Sequence, residues 1–398
     1  MKTETFHFEL ITPCFCGGAE PEKQAEIRAP SIRGQLRWWF RTLGGFKSLA
    51  ARGISVRDQE ALIFGTTAGK QGQAGKLIMR LTSPQPPSQP TNADDLRAGM
   101  DTPLGYALFP LRPFGGSDGK RGKIAEGAQV CVSVLWRGEA NLWDSVRALL
   151  AIWGHLGWLG FRGRRAFGAV RLISPSLPLN NALSHFSAVK NVVVHELPVP
   201  NLCDWLKTAE KLLEWYRAWR RHGQMSRCWD KRGKIWHPIP ASKQQQYRAQ
   251  PGFRYARRDH NEGLDVQGTG APDPDPEQPR GKKGETFRPA LGLPIIQFFS
   301  SLGTKNGPLP RTKATVDWDW EWNYKEQKGE GRFASPVILR PYKDAQGNWH
   351  ALVIFVDAHR WPEGKEVHLS CGGRHETRRV SLELYEAMKN DPRLKPFI

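Results

Sequence analysis

Arginine, tryptophan and glycine carry most of the chemistry this chain could do. Between Ile27 and Arg57 lie Arg28, Arg33, Arg37, Arg41, Lys47, Arg52 and Arg57, a Trp38-Trp39 pair and no carboxylate. A surface of that kind suits a polyanion, because guanidinium groups bind phosphate oxygens through charge and paired N–H donors. The plain alternative is an ordinary amphipathic helix whose arginines are solvated or paired with carboxylates from elsewhere. A second focus is GHLGWLGFRGRRAFGAVRL, residues 154–172, where glycines at 154, 157, 160, 163 and 168 surround Arg162, Arg164 and Arg165. Glycine lets backbone N–H groups approach phosphates closely, and the arginines add charge.

Other candidates carry less. Gly65 to Gln71, GTTAGKQ, imitates a phosphate-binding loop but is one residue short between the glycines and has Gln71 where Ser or Thr would hold magnesium, which excludes nucleotide hydrolysis there. Asp317, Asp319 and Glu321 alternate with Trp318, Trp320 and Trp322, so on a strand the carboxylates share one polar face with tryptophans behind it. Cys14 and Cys16 lack the second ligand pair of a zinc site; as a strand continuation their thiols share one face and are buried. No histidine pattern matches a metal-ligating motif, and His155, beside the basic loop, reads as a satisfied structural histidine. No catalytic residue, metal or cofactor is expected.

These groups need elements to hold them. From Ser31, taken as an N-cap, to a stop at Gly44-Gly45, the spacing predicts a helix with Arg33, Arg37 and Arg41 on one face and Ile32, Leu36, Trp39, Phe40 and Leu43 opposite. Trp38 projects between the two faces. Strands are expected at 3–12, 75–82, 126–138 and 168–175, with a helix from Asn141 to about Trp158. The resulting order, β-α-β-β-α-β, is the ferredoxin-like plan. A second round starts with a strand at 191–199 and a helix at 201–222 capped by Asn201. It breaks off in a basic, then low-complexity insertion at about 223–288. It resumes at 291–300, in a hairpin across KDAQGN, and in a short helix at 382–389. The echo of an RNA-recognition motif in RAFGAVRL, at Arg165, Phe167, Gly168 and Val170, lacks aromatics at Ala169 and Leu172, so loop and helix are the expected RNA contacts.

The chain has 398 residues and a formal charge of +19, which favours a nucleic acid over a membrane since no apolar run is long enough to span one. The opening MKTETFHFEL lacks the blocks of a signal peptide, so a cytoplasmic location is expected. Scattered cysteines exclude a disulfide framework.

Taken together, IRAPSIRGQLRWWFRTLGG, LIFG (62–65), YALFPL (106–111), the glycine-rich loop over 157–170 and RFASPVIL (332–339) resemble the RAMP superfamily of CRISPR proteins, and within it the first-subunit family of the type III-B, or Cmr, effector complex. The resemblance covers the first 175 residues well and the rest through isolated motifs. It implies an α+β chain of two tandem ferredoxin-like (RRM-like) domains, 1–175 and 190–398, with the 223–288 insertion in the second. It also implies a non-catalytic, RNA-binding subunit at the head of the complex. That subunit would contact the 3′ region of guide RNA and the paired target RNA, beside other RAMP subunits, with no membrane involved. The residues expected to touch RNA are Arg28, Arg33, Arg37, Trp38, Arg41, Arg162, Arg164 and Arg165. The rival expectation is a metal-independent RAMP endoribonuclease processing guide precursors with His155 as acid-base group; a third is a generic RNA-packaging protein.

Overall fold

Period-2 alternation builds the first sheet. In Lys2–Leu10 (β1), Phe6, Phe8 and Leu10 are buried, and in Gln129–Trp136 (β3) so are Val130, Val132, Val134 and Trp136. Adding Leu77–Leu81 (β2) and Val170–Ser174 (β4) gives a four-stranded sheet of spatial order β2-β3-β1-β4, every neighbouring pair antiparallel. The connections carry two helices, Ala29–Thr42 (α1) and Trp143–Leu156 (α3), with Val56–Phe64 (α2) following α1. The Phe8 ring meets the Trp153 ring of α3 edge-on at 4.5 Å, within a core that also takes in Ile32, Leu36, Trp39 and Phe40 of α1. This is the β-α-β-β-α-β order expected from the sequence.

The coordinates are a computed structural model. They describe residues 1–67, 72–96, 98–99, 102–112, 119–221, 227–230, 235–238, 262–268, 284–293, 295–298, 315–324, 327–331 and 333–398. Most of the expected insertion at 223–288, residues 68–71 of the GTTAGKQ segment and the side chains of Asp317, Asp319 and Glu321 lie outside that description; Thr315–Tyr324 does form the expected strand.

A second four-stranded sheet joins Val192–Glu196 (β5), Val337–Lys343 (β6), Trp349–Val356 (β7) and Lys395–Pro396 (β8) in the order β6-β7-β5-β8, again antiparallel throughout. Strands β6 and β7 are the hairpin expected across KDAQGN. Numbered within each set of four, the two sheets share one order, 2-3-1-4. The helix Trp205–Arg221 (α4) follows β5 as α1 follows β1.

The chain forms two compact units, one of residues 1–213, 337–358 and 393–398, the other of 214–336 and 359–392. These differ from a division between 175 and 190, because both four-stranded sheets lie in the first unit and share its apolar core. The second unit holds a separate sheet with strands in the order Glu285–Thr286, Arg374–Val380, Glu366–Cys371, Thr315–Tyr324, Ile295–Phe298, with Gln327–Gly331 also paired to Thr315–Tyr324. Within it the buried Asp391 carboxylate accepts from the indole N–H groups of Trp215 and Trp219, both at 2.8 Å.

Two expected caps are corrected. Helix α1 begins at Ala29 with Arg28 in the cap position, because Pro30 fits the first turn, where its missing N–H has no intrahelical partner. In α4 the Asp204 carboxylate accepts from Lys207 N–H at 2.7 Å and starts the helix, whereas Asn201 sits earlier in a left-handed turn at φ +55°. The stop after α1 is as expected: Gly44 and Gly45 adopt φ +75° and +74°, and a Cβ on Gly45 would lie 2.5 Å from the buried Gln59 side chain.

Candidate nucleic-acid interface

Helix α1 divides as its sequence dictates. Ile32, Leu36, Trp39, Phe40 and Leu43 are fully buried, while Arg28, Arg33 and Arg41 are exposed and Arg37 half-buried on the other side. That charged face is not left to solvent. Arg37 Nε and Arg41 Nη1 both donate to Glu60 Oε1 of α2, at 2.6 and 2.5 Å, and Arg33 donates to the Phe64 carbonyl at the end of the same helix. Glu60 is nearly buried, its side chain 11% exposed, whereas Arg37 and Arg41 keep 41% and 47% of theirs in solvent. Two guanidiniums thus share one carboxylate while Arg33 ties to a carbonyl, and the group of three arginines and one glutamate stays net positive.

Trp38 connects this helix to the glycine-rich loop. Its ring lies edge-on to Trp39 at 4.8 Å and to Trp158 at 5.4 Å, and the Arg164 guanidinium stands 5.1 Å from Trp38 and 5.7 Å from Trp158. Gly163 makes room for this stack, since a Cβ there would fall 1.7 Å from the Trp158 ring. Burial, and then the neighbouring Arg165, push the Arg164 guanidinium down to about 10, which leaves it charged at neutral pH.

The three loop arginines have separate fates. Arg162, at φ +61°, donates to the Ala107 and Tyr106 carbonyls. Arg164 stacks on tryptophan. Arg165 is 8% exposed and donates to the carbonyls of Arg164 and Val337, both at 2.9 Å, while the adjacent backbone pairs with Leu339 of β6. Expected as a phosphate contact, Arg165 instead fastens the loop to the second sheet, because it falls on the inward side of a loop whose next residues, Ala166 and Phe167, are buried. Burial of Phe167 also removes it as a stacking surface.

The other candidates are structural. His155 has Nε2 2.7 Å from the Leu177 carbonyl and Nδ1 3.1 Å from the Tyr342 hydroxyl, so the neutral ring donates to one and accepts from the other; burial holds it below its usual 6.5. Cys14 and Cys16 are buried together as expected. The hydrogen bond between them, with burial, raises the Cys14 thiol, and the same bond lowers Cys16. Among the described residues no cluster of three or more His, Cys, Asp or Glu could hold a metal ion, and no helix is long and apolar enough to cross a membrane.

Comparison with known proteins fits this arrangement. The profile of the RAMP superfamily matches residues 7–171, from within β1 to within β4. The match to the RAMP superfamily is thus confined to the part of the chain that carries the first sheet. CRISPR system Cmr subunit Cmr1-1 of Pyrococcus furiosus is 30% identical over 182 residues, 44% of this chain and 49% of that protein, so the chain spans about half the length of this curated relative. Cmr subunit Cmr1-2 of the same organism is 38% identical over 71 residues, 18% of this chain and 36% of that one. The crystal structure of Cmr1 from Pyrococcus furiosus in its apo form aligns over 99% of this chain and 98% of its own with a TM-score of 0.52 and 15% identity, a likeness of fold.

Two residues that matter here carry no motif in the sequence. Glu60 lies in an unremarked turn of VRDQEALIF, and only the fold brings it under α1. Arg340 is 2% exposed and donates to the carbonyls of Gly154, His155, Gly157 and Val170, tying β6 to the end of α3 and the start of β4. Burial lowers its guanidinium to about 9. A single cation inside the apolar run VILRPY was the available signal.

Proposed function

We propose that this protein is a RAMP-type, non-catalytic RNA-binding subunit of a type III-B CRISPR ribonucleoprotein. In this reading its two four-stranded sheets are tandem ferredoxin-like domains, and its partners are guide RNA toward the 3′ end, target RNA and other RAMP subunits. Arg28, Arg33, Arg37 and Arg41 contact phosphates, with Arg162, Arg164 and Trp38 continuing the path and Arg165 holding the loop in place.

The observation that carries this is the α1 face: three arginines stand together with one largely buried carboxylate, shared by Arg37 and Arg41, which keep much of their surface in solvent, while Arg33 ties only to a backbone carbonyl. Pure ion pairing would match the charges. The +19 charge of the chain and the likeness to Cmr subunits support the same reading. Phosphate contacts position RNA without selecting sequence, as a subunit that accepts any guide requires. For catalysis His155 is poorly placed, with both ring nitrogens engaged inside the fold.

The test is anisotropy of the full chain with labelled single-stranded RNA across a salt series. The double variant Arg33→Glu/Arg37→Glu is expected to weaken binding and to reduce the log–log salt slope by at least about 0.7, the worth of one single-strand phosphate contact. Unchanged affinity and slope would remove α1 from the RNA path. Copurification with other RAMP subunits and one guide population, against bulk cellular RNA, tests the assembly.

A further inference from the structure

We propose that Phe161 is a base-stacking residue for single-stranded RNA, presented by the glycine-rich loop beside the Arg162 guanidinium. The inference rests on the RNA-binding reading above and assigns that site a second kind of contact, with the bases.

Phe161 is 39% exposed although the backbone at and beside it is constrained. Its backbone N–H donates to the Phe15 carbonyl at 2.9 Å. Gly160 before it has φ +72°, and a Cβ there would lie 2.7 Å from the Phe15 backbone. Arg162 after it is left-handed at φ +61°, a conformation that L-residues avoid, as is Ala166 at +74°. Strain of this kind persists only where the surroundings over-determine it, and it gathers at binding sites. The loop therefore holds this ring outward by construction. A pliable loop would fold an apolar ring down.

The ring's neighbour decides what it would meet. The Arg162 guanidinium is 5.8 Å from the Phe161 centroid, while its N–H groups reach the Tyr106 and Ala107 carbonyls. Two residues beyond Ala107, Phe109 is 64% exposed. An aromatic ring with a cation against it, on the loop whose Trp158 and Arg164 stack with Trp38 of α1, has the composition of a single-strand binding surface. There bases stack on rings and cations offset phosphates. Stacking accepts every base, which agrees with an RNA of variable sequence. A protein-docking role for the same ring is an outcome of the test.

The test uses the full chain, a fluorescein-labelled single-stranded RNA of mixed sequence and the same RNA annealed to its complement. Phe161→Ala is expected to weaken single-strand binding about 5- to 150-fold, with the salt slope unchanged because stacking releases no counterions. Duplex binding, whose bases are already stacked, holds within about twofold of wild type, which also reports that the variant is folded. Phe161→Tyr keeps the affinity and Phe161→Leu loses it, since leucine has no π face. The proposal is overturned if Phe161→Ala or Phe161→Leu binds single strands like wild type, or if duplex binding falls equally. It is also overturned if Phe161→Ala keeps RNA but loses copurification with other RAMP subunits, which makes the ring a protein contact. Loss on Arg33→Glu/Arg37→Glu with none on Phe161→Ala defeats this inference alone; a wild-type chain that does not bind RNA defeats both.

Discussion

Glu60→Gln should move stability and RNA affinity in opposite directions. The glutamine carbonyl oxygen can still accept from Arg37 Nε and Arg41 Nη1, now 2.6 and 2.5 Å from Glu60 Oε1, so the geometry survives and the negative charge goes. Hydrogen bonds to charged groups contribute roughly 1.5–3 kcal/mol and neutral ones about 1. Both arginines are nearly half exposed, which discounts the difference toward the surface value. Like charges at i and i+4 add a few tenths of a kcal/mol. The expected loss of stability is about 1–2 kcal/mol. For RNA the sign reverses, because the carboxylate also repels an incoming phosphate. At water's dielectric two unit charges about 4 Å apart interact by about 1 kcal/mol, so the variant should bind single-stranded RNA about fivefold tighter at low salt, with the gain shrinking as salt rises. Urea denaturation and anisotropy on one preparation measure both quantities. An unchanged or weaker affinity would refute the reasoning: Glu60 would then orient the arginines for RNA, or α1 would lie off the RNA path.

Two further predictions concern the scaffold. Arg340→Met leaves the carbonyls of Gly154, His155, Gly157 and Val170 without their buried donor and should destabilise the chain by about 3–5 kcal/mol in urea denaturation; Arg340→Lys, which keeps the charge but not the planar fork, should fall between, and a loss below about 1 kcal/mol would show the ties to be dispensable. His155, held neutral by burial below its usual 6.5, contributes stability that is full above about pH 6.5 and declines as the pH falls toward the folded value, where the unfolded chain takes up the proton first. His155→Gln should remove that part of the acid sensitivity, seen as a smaller change in urea midpoint between pH 7.5 and pH 5, and equal pH dependence in both proteins would refute it.

Periodicity made the first sheet legible, since Phe6, Phe8 and Leu10 of β1 and Val130, Val132 and Val134 of β3 show in the sequence the face they bury. Charge was harder to interpret, because an arginine's type does not say which way it points. Arg33, Arg37 and Arg41 stand on a helix whose period assigns their face. Arg162, Arg164 and Arg165 stand in a loop without a period, and their three fates, carbonyl tie, tryptophan stack and buried anchor, follow from left-handed turns at Arg162 and Ala166 that no sequence rule assigns to non-glycine residues. Glu60 was invisible for a related reason: its partners lie 19 and 23 residues away, and only the packing of α2 on α1 joins them. An acid-free stretch therefore reports the local charge and not the electrostatic environment, which depends on what the fold places beneath it. Here the fold supplies one carboxylate, shared by Arg37 and Arg41, to a face of three arginines. That imbalance, more than the run of positive charge itself, is what points α1 toward a polyanion.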